Sequence, residues 1–310
     1  MTRRILTGLM IQAGPQNPLV LYLLNRKCSQ FGVTLSWDDS NTLCLRKDDR
    51  KMLLAAQHFI YAPTMAEQYD AYFDPLVPKN INDVYVVDYS QPGLLQTYRR
   101  SGLQFELASF PEEDDAIEGY FRWYRPKLGD TVFDIGAHCG VSTYFFSRLV
   151  GDNGRVIAFE PDPINHKLLL RNVQRHNLIN VTCLELAIAR SQGTAEFCSE
   201  GTIGSTLKRV SGRSTTGHVT LVKTLSLEDA FHNWGVPAFC KIDIEGAEIE
   251  VLSAAANTLR NNPTQYAVDT NHTVNGAFTS QPVEDLFRAC GYEALSLKSG
   301  FMTTWARPEK

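Results

Sequence analysis

The chain has 310 residues, 44% of them hydrophobic, which is enough apolar material for one large or two modest domains and argues against intrinsic disorder. Its net charge is −4 and no run of Lys and Arg exceeds two residues, so a nucleic-acid-binding surface is not expected. The seven cysteines are scattered, odd in number and without Cys-x-x-Cys spacing, which favours reduced thiols in a cytoplasmic protein over a disulfide framework or zinc site.

Residues 1–111 are expected to form an N-terminal α+β cap that binds substrate or mediates a homodimer. The spacing of apolar residues predicts a helix over Arg50–Ile60 and strands over Val84–Asp88 and Leu103–Leu107. The apolar stretch at the start of the chain is short and interrupted, so it is interpreted as part of this region and not as a signal peptide. No uninterrupted apolar run reaches membrane-spanning length, and we expect no membrane association.

Residues 112–310 show a regular alternation of strand and helix patterns. Strands are predicted at 131–135, 155–160, 181–187, 239–244 and 265–270. This alternation is typical of an α/β domain with a Rossmann-like parallel sheet. The chain closes with two strand patterns, Tyr292–Leu297 and Phe301–Trp305, which predict an antiparallel hairpin.

The first strand of this domain leads into a glycine loop, Asp134-Ile-Gly-Ala-His-Cys-Gly140. A helix that begins after such a loop offers free N–H donors to a ligand. The order Asp-x-Gly-x-x-x-Gly differs from the G-x-G-x-x-G of dinucleotide sites, because Ala137 and His138 occupy space that a pyrophosphate would need. A carboxylate at the strand end suits a cationic, hydroxyl-rich ligand, and S-adenosyl-L-methionine fits. The alternative is a tight turn at Gly136 with Asp134 capping the helix.

The second predicted strand ends in Glu160-Pro161, 20 residues after Gly140. An acid at this position can accept both ribose hydroxyls of a bound cofactor. Ala187, at the end of the third predicted strand, is expected at the same edge of the sheet. The predicted cofactor-binding residues are therefore Asp134, Gly136, Ala137, His138, Gly140, Glu160, Pro161, Ala187 and Asp243.

A second motif, Lys241-Ile-Asp-Ile-Glu-Gly-Ala-Glu248, begins within the fourth predicted strand and continues past its end. Strand periodicity directs Lys241, Asp243 and Glu245 to one side, and the carboxyl end of a central strand faces the ligand crevice of an α/β sheet. We expect Asp243 to be the general base, with Glu245 contacting substrate or orienting Lys241. His272, after the fifth predicted strand, is the second candidate base. Helix capping and a structural salt bridge are the alternative for this motif.

Taken together, these motifs resemble the FkbM-type S-adenosylmethionine-dependent methyltransferases over about residues 112–310. The resemblance implies a class I methyltransferase fold, with a seven-stranded sheet that ends in the C-terminal hairpin. It also implies methyl transfer to a hydroxyl of a small-molecule acceptor such as a sugar, a polyketide or another natural product. Gly204-Ser-Thr206 resembles a family loop near the active site, and a flexible surface loop is the alternative. The pair His138-Cys139 departs from the family pattern, which more often has Asn-Ile.

Three carboxylates, Asp243, Glu245 and Asp269, offer the oxygen ligands that Mg²⁺ prefers. Their spacing does not establish a metal site, and none is predicted. Three other classes of function remain as alternatives: a nicotinamide oxidoreductase, which lacks its G-x-G-x-x-G here, a non-catalytic S-adenosylmethionine-binding protein, and a nucleic-acid amino-methyltransferase. The last class usually carries Asn/Asp-Pro-Pro-Tyr where this chain has Asp243-Ile-Glu-Gly.

Overall fold

A computed structural model describes residues 3–110, 114–202, 205–207, 217–274, 276–299 and 301–309. These residues form two compact units, the first built from the chain up to residue 110 and the second beginning at Asp114. The predicted domain boundary between residues 111 and 112 lies outside the described residues. Within the described ranges, no helix combines the length and the apolar character needed to cross a membrane.

The first unit contains two sheets and several short helices. Its helical segments are Arg3–Ala13, Pro18–Cys28, Ser29–Phe31, Ala56–Tyr61, Ala62–Glu67 and Tyr69–Phe73. A five-stranded sheet has the spatial order Thr34–Trp37, Thr42–Lys47, Arg50–Ala55, Val84–Tyr89 and Lys79–Ile81. A separate hairpin pairs Leu94–Thr97 with Gln104–Leu107. This unit is α+β, as expected.

One element of the first unit was predicted wrongly. Residues Arg50–Ala55 form a strand in place of the start of the predicted helix, and a 3₁₀ helix follows over Ala56–Tyr61. The strand pairs on one side with Thr42–Lys47 and on the other with Val84–Tyr89. Pairing on both sides outweighs the helical spacing of its leucines and alanines, because tertiary partners override a weak local propensity.

The second unit is built on a seven-stranded sheet, whose strands are numbered along the chain. They are β1 Thr131–Ile135, β2 Arg155–Phe159, β3 Val181–Leu184, β4 Phe239–Ile242, β5 Gln265–Asp269, β6 Tyr292–Ser299 and β7 Phe301–Pro308. The spatial order is β3-β2-β1-β4-β5-β7-β6. Strands β1 to β5 are parallel, and β7 pairs antiparallel with both β5 and β6. The protein thus has the Rossmann-like α/β fold that the alternation predicted, ending in the predicted hairpin.

Helices alternate with the strands of this sheet along the chain. They are Val141–Val150, Pro163–Arg175, Leu227–Trp234, Glu248–Ala254, Ala256–Asn261 and Ser280–Ala289, preceded by a 3₁₀ helix over Ala116–Tyr120. The central strands are almost continuously apolar because both faces of the sheet are covered. The ring of Phe133 on β1 packs edge-on against Phe159 and Phe231 in this core. This packed core therefore holds the carboxyl ends of β1, β2, β4 and β5 in place.

A small sheet is inserted between β3 and β4. Its order is Ala187–Ile188, His218–Leu225, Gly193–Ser199 and Thr206–Leu207. The predicted third strand is thus divided, since β3 ends at Leu184 and Ala187 belongs to the insertion. Gly204 lies outside the described residues.

Candidate active site

The glycine loop brings the ends of β1 and β4 into direct contact. Gly136 adopts a left-handed backbone, with φ of 80°, and a Cβ atom there would lie 1.8 Å from the carbonyl oxygen of Asp243. Only glycine permits this approach. Gly140, with φ of 89°, ends the loop, and helix Val141–Val150 begins directly after it. The two glycines of the motif are therefore required by backbone geometry as well as by any ligand.

Asp134 lies beneath this loop and has no exposed surface. Its Oδ2 atom accepts hydrogen bonds from Ser142 Oγ at 2.9 Å and Thr143 Oγ1 at 2.6 Å. Its Oδ1 atom lies 3.5 Å from Nζ of Lys241 on the neighbouring strand. Asp134 thus holds the start of the helix and a buried cation, and its direct contact with a cofactor stays a prediction.

Glu160 follows β2 and organises the backbone on both sides of the crevice. Its Oε2 atom accepts the N–H of His138 at 2.8 Å, and its Oε1 atom accepts the N–H of Asp162 at 2.9 Å. Burial, with the nearby charge of Asp162, raises the pKa of Glu160 to about 8. His138 has a positive φ of 50°, and burial lowers its pKa to about 4, so its imidazole is neutral at pH 7. Pro161 is half-buried beside them.

Lys241, on β4, connects the glycine loop to the residues that follow this strand. Only 1% of its side chain is exposed, and its Nζ donates a hydrogen bond to the Gly136 carbonyl oxygen at 2.6 Å. Nζ also lies 3.7 Å from Asp243 Oδ2, in addition to its contact with Asp134. Register places Lys241 directly opposite Asp134. A buried ammonium is tolerated because two carboxylates and a carbonyl surround it.

His272 is the centre of a carboxylate cluster at the ends of β4 and β5. Its Nδ1 atom lies 2.8 Å from Glu248 Oε1, and its Nε2 atom lies 3.2 Å from Glu245 Oε1 and 3.8 Å from Asp243 Oδ1. Burial acts to lower the pKa of His272, but the charges of Glu245 and Glu248 outweigh it and hold the pKa well above the usual value. His272 is therefore a charged donor at neutral pH, which does not suit the predicted role of base.

The backbone supports this cluster. Glu245 has a positive φ of 56°, and the fully buried Glu248 accepts the N–H groups of Gly246 at 3.0 Å and Ile244 at 3.3 Å. Glu248 therefore stabilises the loop that follows β4, because both N–H donors belong to that loop. Glu248 lies within the motif Lys241–Glu248, but the sequence alone predicts no role for it. Its partner His272 is 24 positions away, so local patterns do not indicate the contact.

Asp243, Asp269 and His272 could together hold a metal ion. One ligand atom from each lies within 4.8 Å of the others. Two carboxylates and a neutral imidazole suit a divalent ion such as Mg²⁺ or Mn²⁺, so His272 would have to lose its proton to act as a ligand. Glu245, which the sequence offered as a ligand, instead lies against His272. Burial and the charge of Asp243 raise the pKa of Asp269 to about 8.

Most of the predicted residues come together at this edge of the sheet. The contacts described above connect six of them in one group, Asp134, Gly136, Lys241, Asp243, Glu245 and His272. A second group joins Glu160 to His138. Ala137 is buried in the loop and donates its N–H to the Phe159 carbonyl oxygen at 3.0 Å. Ala187 lies in the inserted sheet, where it shares an apolar cluster with Ala247.

Sequence reasoning missed Asp162. This buried carboxylate caps helix Pro163–Arg175 and also binds the inserted segment. The dipeptide Asp162-Pro163 is a signal for such a cap, because Pro is favoured at the first helical position.

Comparisons with known proteins agree with the motifs. A family model described as methyltransferase FkbM domain matches residues 134–294. The hexuronic acid methyltransferase AglP of Haloferax volcanii is 29% identical over 133 residues, which is 42% of this chain and 52% of that protein. The chain thus spans about half the length of this relative.

Two of the solved structures that resemble this chain are described as methyltransferases. An FkbM methyltransferase from Methylobacillus flagellatus has 19% identity and a TM-score of 0.45, covering 61% of this chain and 46% of its own. An S-adenosylmethionine-dependent O-methyltransferase from Thermotoga maritima has 14% identity and a TM-score of 0.41, covering 71% and 78%. Because the family model spans more than half of the chain, including the glycine loop and the cluster around His272, this protein belongs to the FkbM methyltransferase family.

Proposed function

We propose that this protein is an S-adenosylmethionine-dependent O-methyltransferase that acts on a hydroxyl group of a sugar-like small molecule. The supporting observation is the contact that Lys241 makes with both halves of the site. One buried ammonium lies 2.6 Å from the carbonyl oxygen of Gly136 in the cofactor loop and 3.7 Å from the carboxylate of Asp243. Lys241 therefore holds the glycine loop, which is proposed to bind the cofactor, at a constant distance from Asp243, the proposed base.

Glu160 and the glycine loop are proposed to bind the cofactor. Each carboxyl oxygen of Glu160 already accepts one backbone N–H, and hydrogen bonds from two ribose hydroxyls would favour the ionised form and lower its raised pKa. Asp134 is proposed to act from below, by fixing Lys241 and the start of the helix. S-adenosylmethionine, when bound, supplies the electrophilic methyl group. The chain's own contribution is to align the acceptor with that group and exclude water.

Asp243 is proposed as the general base. Its side chain is 27% exposed, whereas those of Lys241 and His272 are almost fully buried, so an acceptor can reach Asp243 directly. His272 is proposed as the charged partner that orients Asp243 and Glu245. A base positioned in this way contributes roughly 10²–10⁴-fold to the rate.

The charge of the site favours a neutral acceptor. Four carboxylates face two cationic side chains: Asp134, Asp243, Glu245 and Glu248 against Lys241 and His272. An acceptor that brought a further carboxylate would be repelled, since like charges at close range oppose binding. We therefore propose a sugar hydroxyl as the methylated group, although the relative AglP is described as acting on hexuronic acid.

The first experiment is thermal unfolding of the purified chain with S-adenosylhomocysteine or NADH. A ligand at 100 times its Kd adds about 2.7 kcal/mol of stability, so a shift with S-adenosylhomocysteine alone is expected. A shift with NADH alone would replace the proposal with a nicotinamide oxidoreductase. Binding of S-adenosylhomocysteine without turnover across a panel of sugar acceptors would indicate a non-catalytic binding protein.

The roles of Asp243 and a metal are tested on the same panel. Asp243→Asn is expected to lower kcat by at least about 10²-fold, whereas the exposed control Asp152→Asn is expected to retain wild-type turnover. Unchanged turnover in both Asp243→Asn and His272→Ala would remove both from the mechanism. Turnover is then compared after EDTA and after added Mg²⁺ or Mn²⁺. Loss with EDTA and recovery with the ion would show that turnover needs a divalent metal, for which Asp243, Asp269 and His272 are the candidate ligands.

A further inference from the structure

Asp162 is a buried carboxylate between the cofactor edge and the inserted sheet. It has no exposed surface, and its N–H group donates to Glu160 Oε1 at 2.9 Å. Its Oδ1 atom accepts the N–H groups of Ile164 at 2.8 Å and Asn165 at 3.4 Å, which caps the helix. The other oxygen, Oδ2, takes no part in the cap and accepts hydrogen bonds from the inserted segment.

Three donors from the inserted segment converge on Oδ2 of Asp162. They are Ser199 Oγ at 2.8 Å, Ser205 Oγ at 2.7 Å and the N–H of Gly201 at 3.2 Å. We name residues 199–202 and 205–207 the bridging segment. Burial of a charged carboxylate is costly unless its lone pairs are filled, so these donors are held firmly.

The bridging segment also reaches the carboxylate cluster, through the residue that follows Ser205. Thr206 Oγ1 donates to the carbonyl oxygen of Glu245 at 3.1 Å. Glu245 in turn lies 3.2 Å from Nε2 of His272. The segment therefore connects the loop that follows β2 with the loop that follows β4, on the side where the proposed acceptor binds.

We propose that Asp162 is a positioning residue that holds the bridging segment between Glu160 and Glu245, so that the segment forms one wall of the acceptor site and responds to cofactor binding. This inference rests on the proposed function, because Glu160 must be the cofactor-binding acid. A ligand on Glu160 restrains the N–H of Asp162 and, through its carboxylate, the segment. By reciprocity, a segment that is released weakens binding of the cofactor.

The substitution Asp162→Asn separates the two purposes of this side chain. Asn remains an effective N-cap through its oxygen, but its NH₂ group cannot accept the three hydrogen bonds from the bridging segment. The double variant Ser199→Ala/Ser205→Ala removes two of the same hydrogen bonds and leaves Asp162 intact. Ser226→Ala is the matched control, because Ser226 caps helix Leu227–Trp234 and lies outside this network.

Hydrogen–deuterium exchange with S-adenosylhomocysteine tests the coupling without a known acceptor. In the wild-type chain and in Ser226→Ala, the ligand is expected to slow exchange about tenfold in both the 134–140 loop and the bridging segment. In Asp162→Asn and in the double serine variant, protection is expected in the loop alone, with affinity for S-adenosylhomocysteine weakened about tenfold.

The outcomes separate this inference from the proposed function. Protection of the loop without protection of the bridging segment in the wild-type chain would overturn the role of Asp162 and leave the function standing. An Asp162→Asn variant that keeps wild-type protection and affinity would do the same. Absence of protection anywhere in the wild-type chain would remove the proposed function, and this inference with it.

Discussion

Replacement of Gly136 by alanine measures how strongly the cofactor loop depends on its contact with β4. The new Cβ atom would lie 1.8 Å from the Asp243 carbonyl oxygen and 2.9 Å from its carbonyl carbon, and both are backbone atoms that cannot rotate away. The left-handed φ of 80° adds about 1–2 kcal/mol for a residue with a Cβ. Relief requires the loops to separate, which costs about 1–3 kcal/mol as overpacking.

Separation of the loops also endangers two hydrogen bonds, from Lys241 Nζ to Gly136 O at 2.6 Å and from Asp243 N to Ile135 O at 3.0 Å. Each contributes about 1 kcal/mol. We therefore expect Gly136→Ala to lower the free energy of unfolding by about 4–7 kcal/mol and to abolish the thermal shift with S-adenosylhomocysteine.

The matched control is Gly129→Ala, at a glycine with a φ of 88° and no atom within 4 Å of the added Cβ. It carries the backbone strain alone, so a loss of about 1–2 kcal/mol and normal ligand binding are expected. Urea unfolding followed by tryptophan fluorescence measures both variants, since Trp305 is buried in the same unit. Equal losses in the two variants would refute the argument that close approach of β4 requires Gly136.

Two further predictions concern buried charge. Lys241→Met should lower the free energy of unfolding by about 3–5 kcal/mol, because Asp134 loses the ammonium group that lies 3.5 Å away. Adding Asp134→Asn should restore part of this loss. Urea unfolding measures both variants, and an unchanged free energy of unfolding in Lys241→Met would contradict the prediction. The second concerns pH: because burial lowers the pKa of His138 from 6.5 to about 4, the unfolded chain binds more protons between these values, and stability falls as pH drops from 6.5 to 4. His138→Asn, which tolerates the positive φ of 50°, should remove up to about 3 kcal/mol of that dependence, measured as urea midpoints at pH 4 and pH 7. An identical pH profile in this variant would show that other groups cause the loss.

Much of the second unit could be predicted from local patterns. Apolar runs of strand length alternate with helical spacing, and Asp134-Ile-Gly-Ala-His-Cys-Gly140 lies where one changes to the other. The five parallel strands and the final hairpin are present as predicted, and the family assignment agrees with the same motifs. These features are encoded within short windows, so the residues that specify them are adjacent in sequence.

The first unit shows where local patterns fail. The helical spacing over Arg50–Ala55 was overridden by strands on both sides, at Thr42–Lys47 and Val84–Tyr89. The division of the predicted third strand at Leu184 has a similar cause, because Ala187 and Ile188 pair with Thr224 and Leu225 of the insertion.

Local patterns predict that Asp134, Glu160, Asp243 and His272 lie at the carboxyl edge of the sheet, because each lies at or just after the end of a predicted strand. The role of each residue depends on its tertiary contacts. Lys241 binds a carbonyl 105 positions away, the charges of Glu245 and Glu248 make His272 a charged donor, and Asp162 receives three donors from the bridging segment. Protonation and orientation follow from distance and burial, and these depend on partners that are remote in the chain.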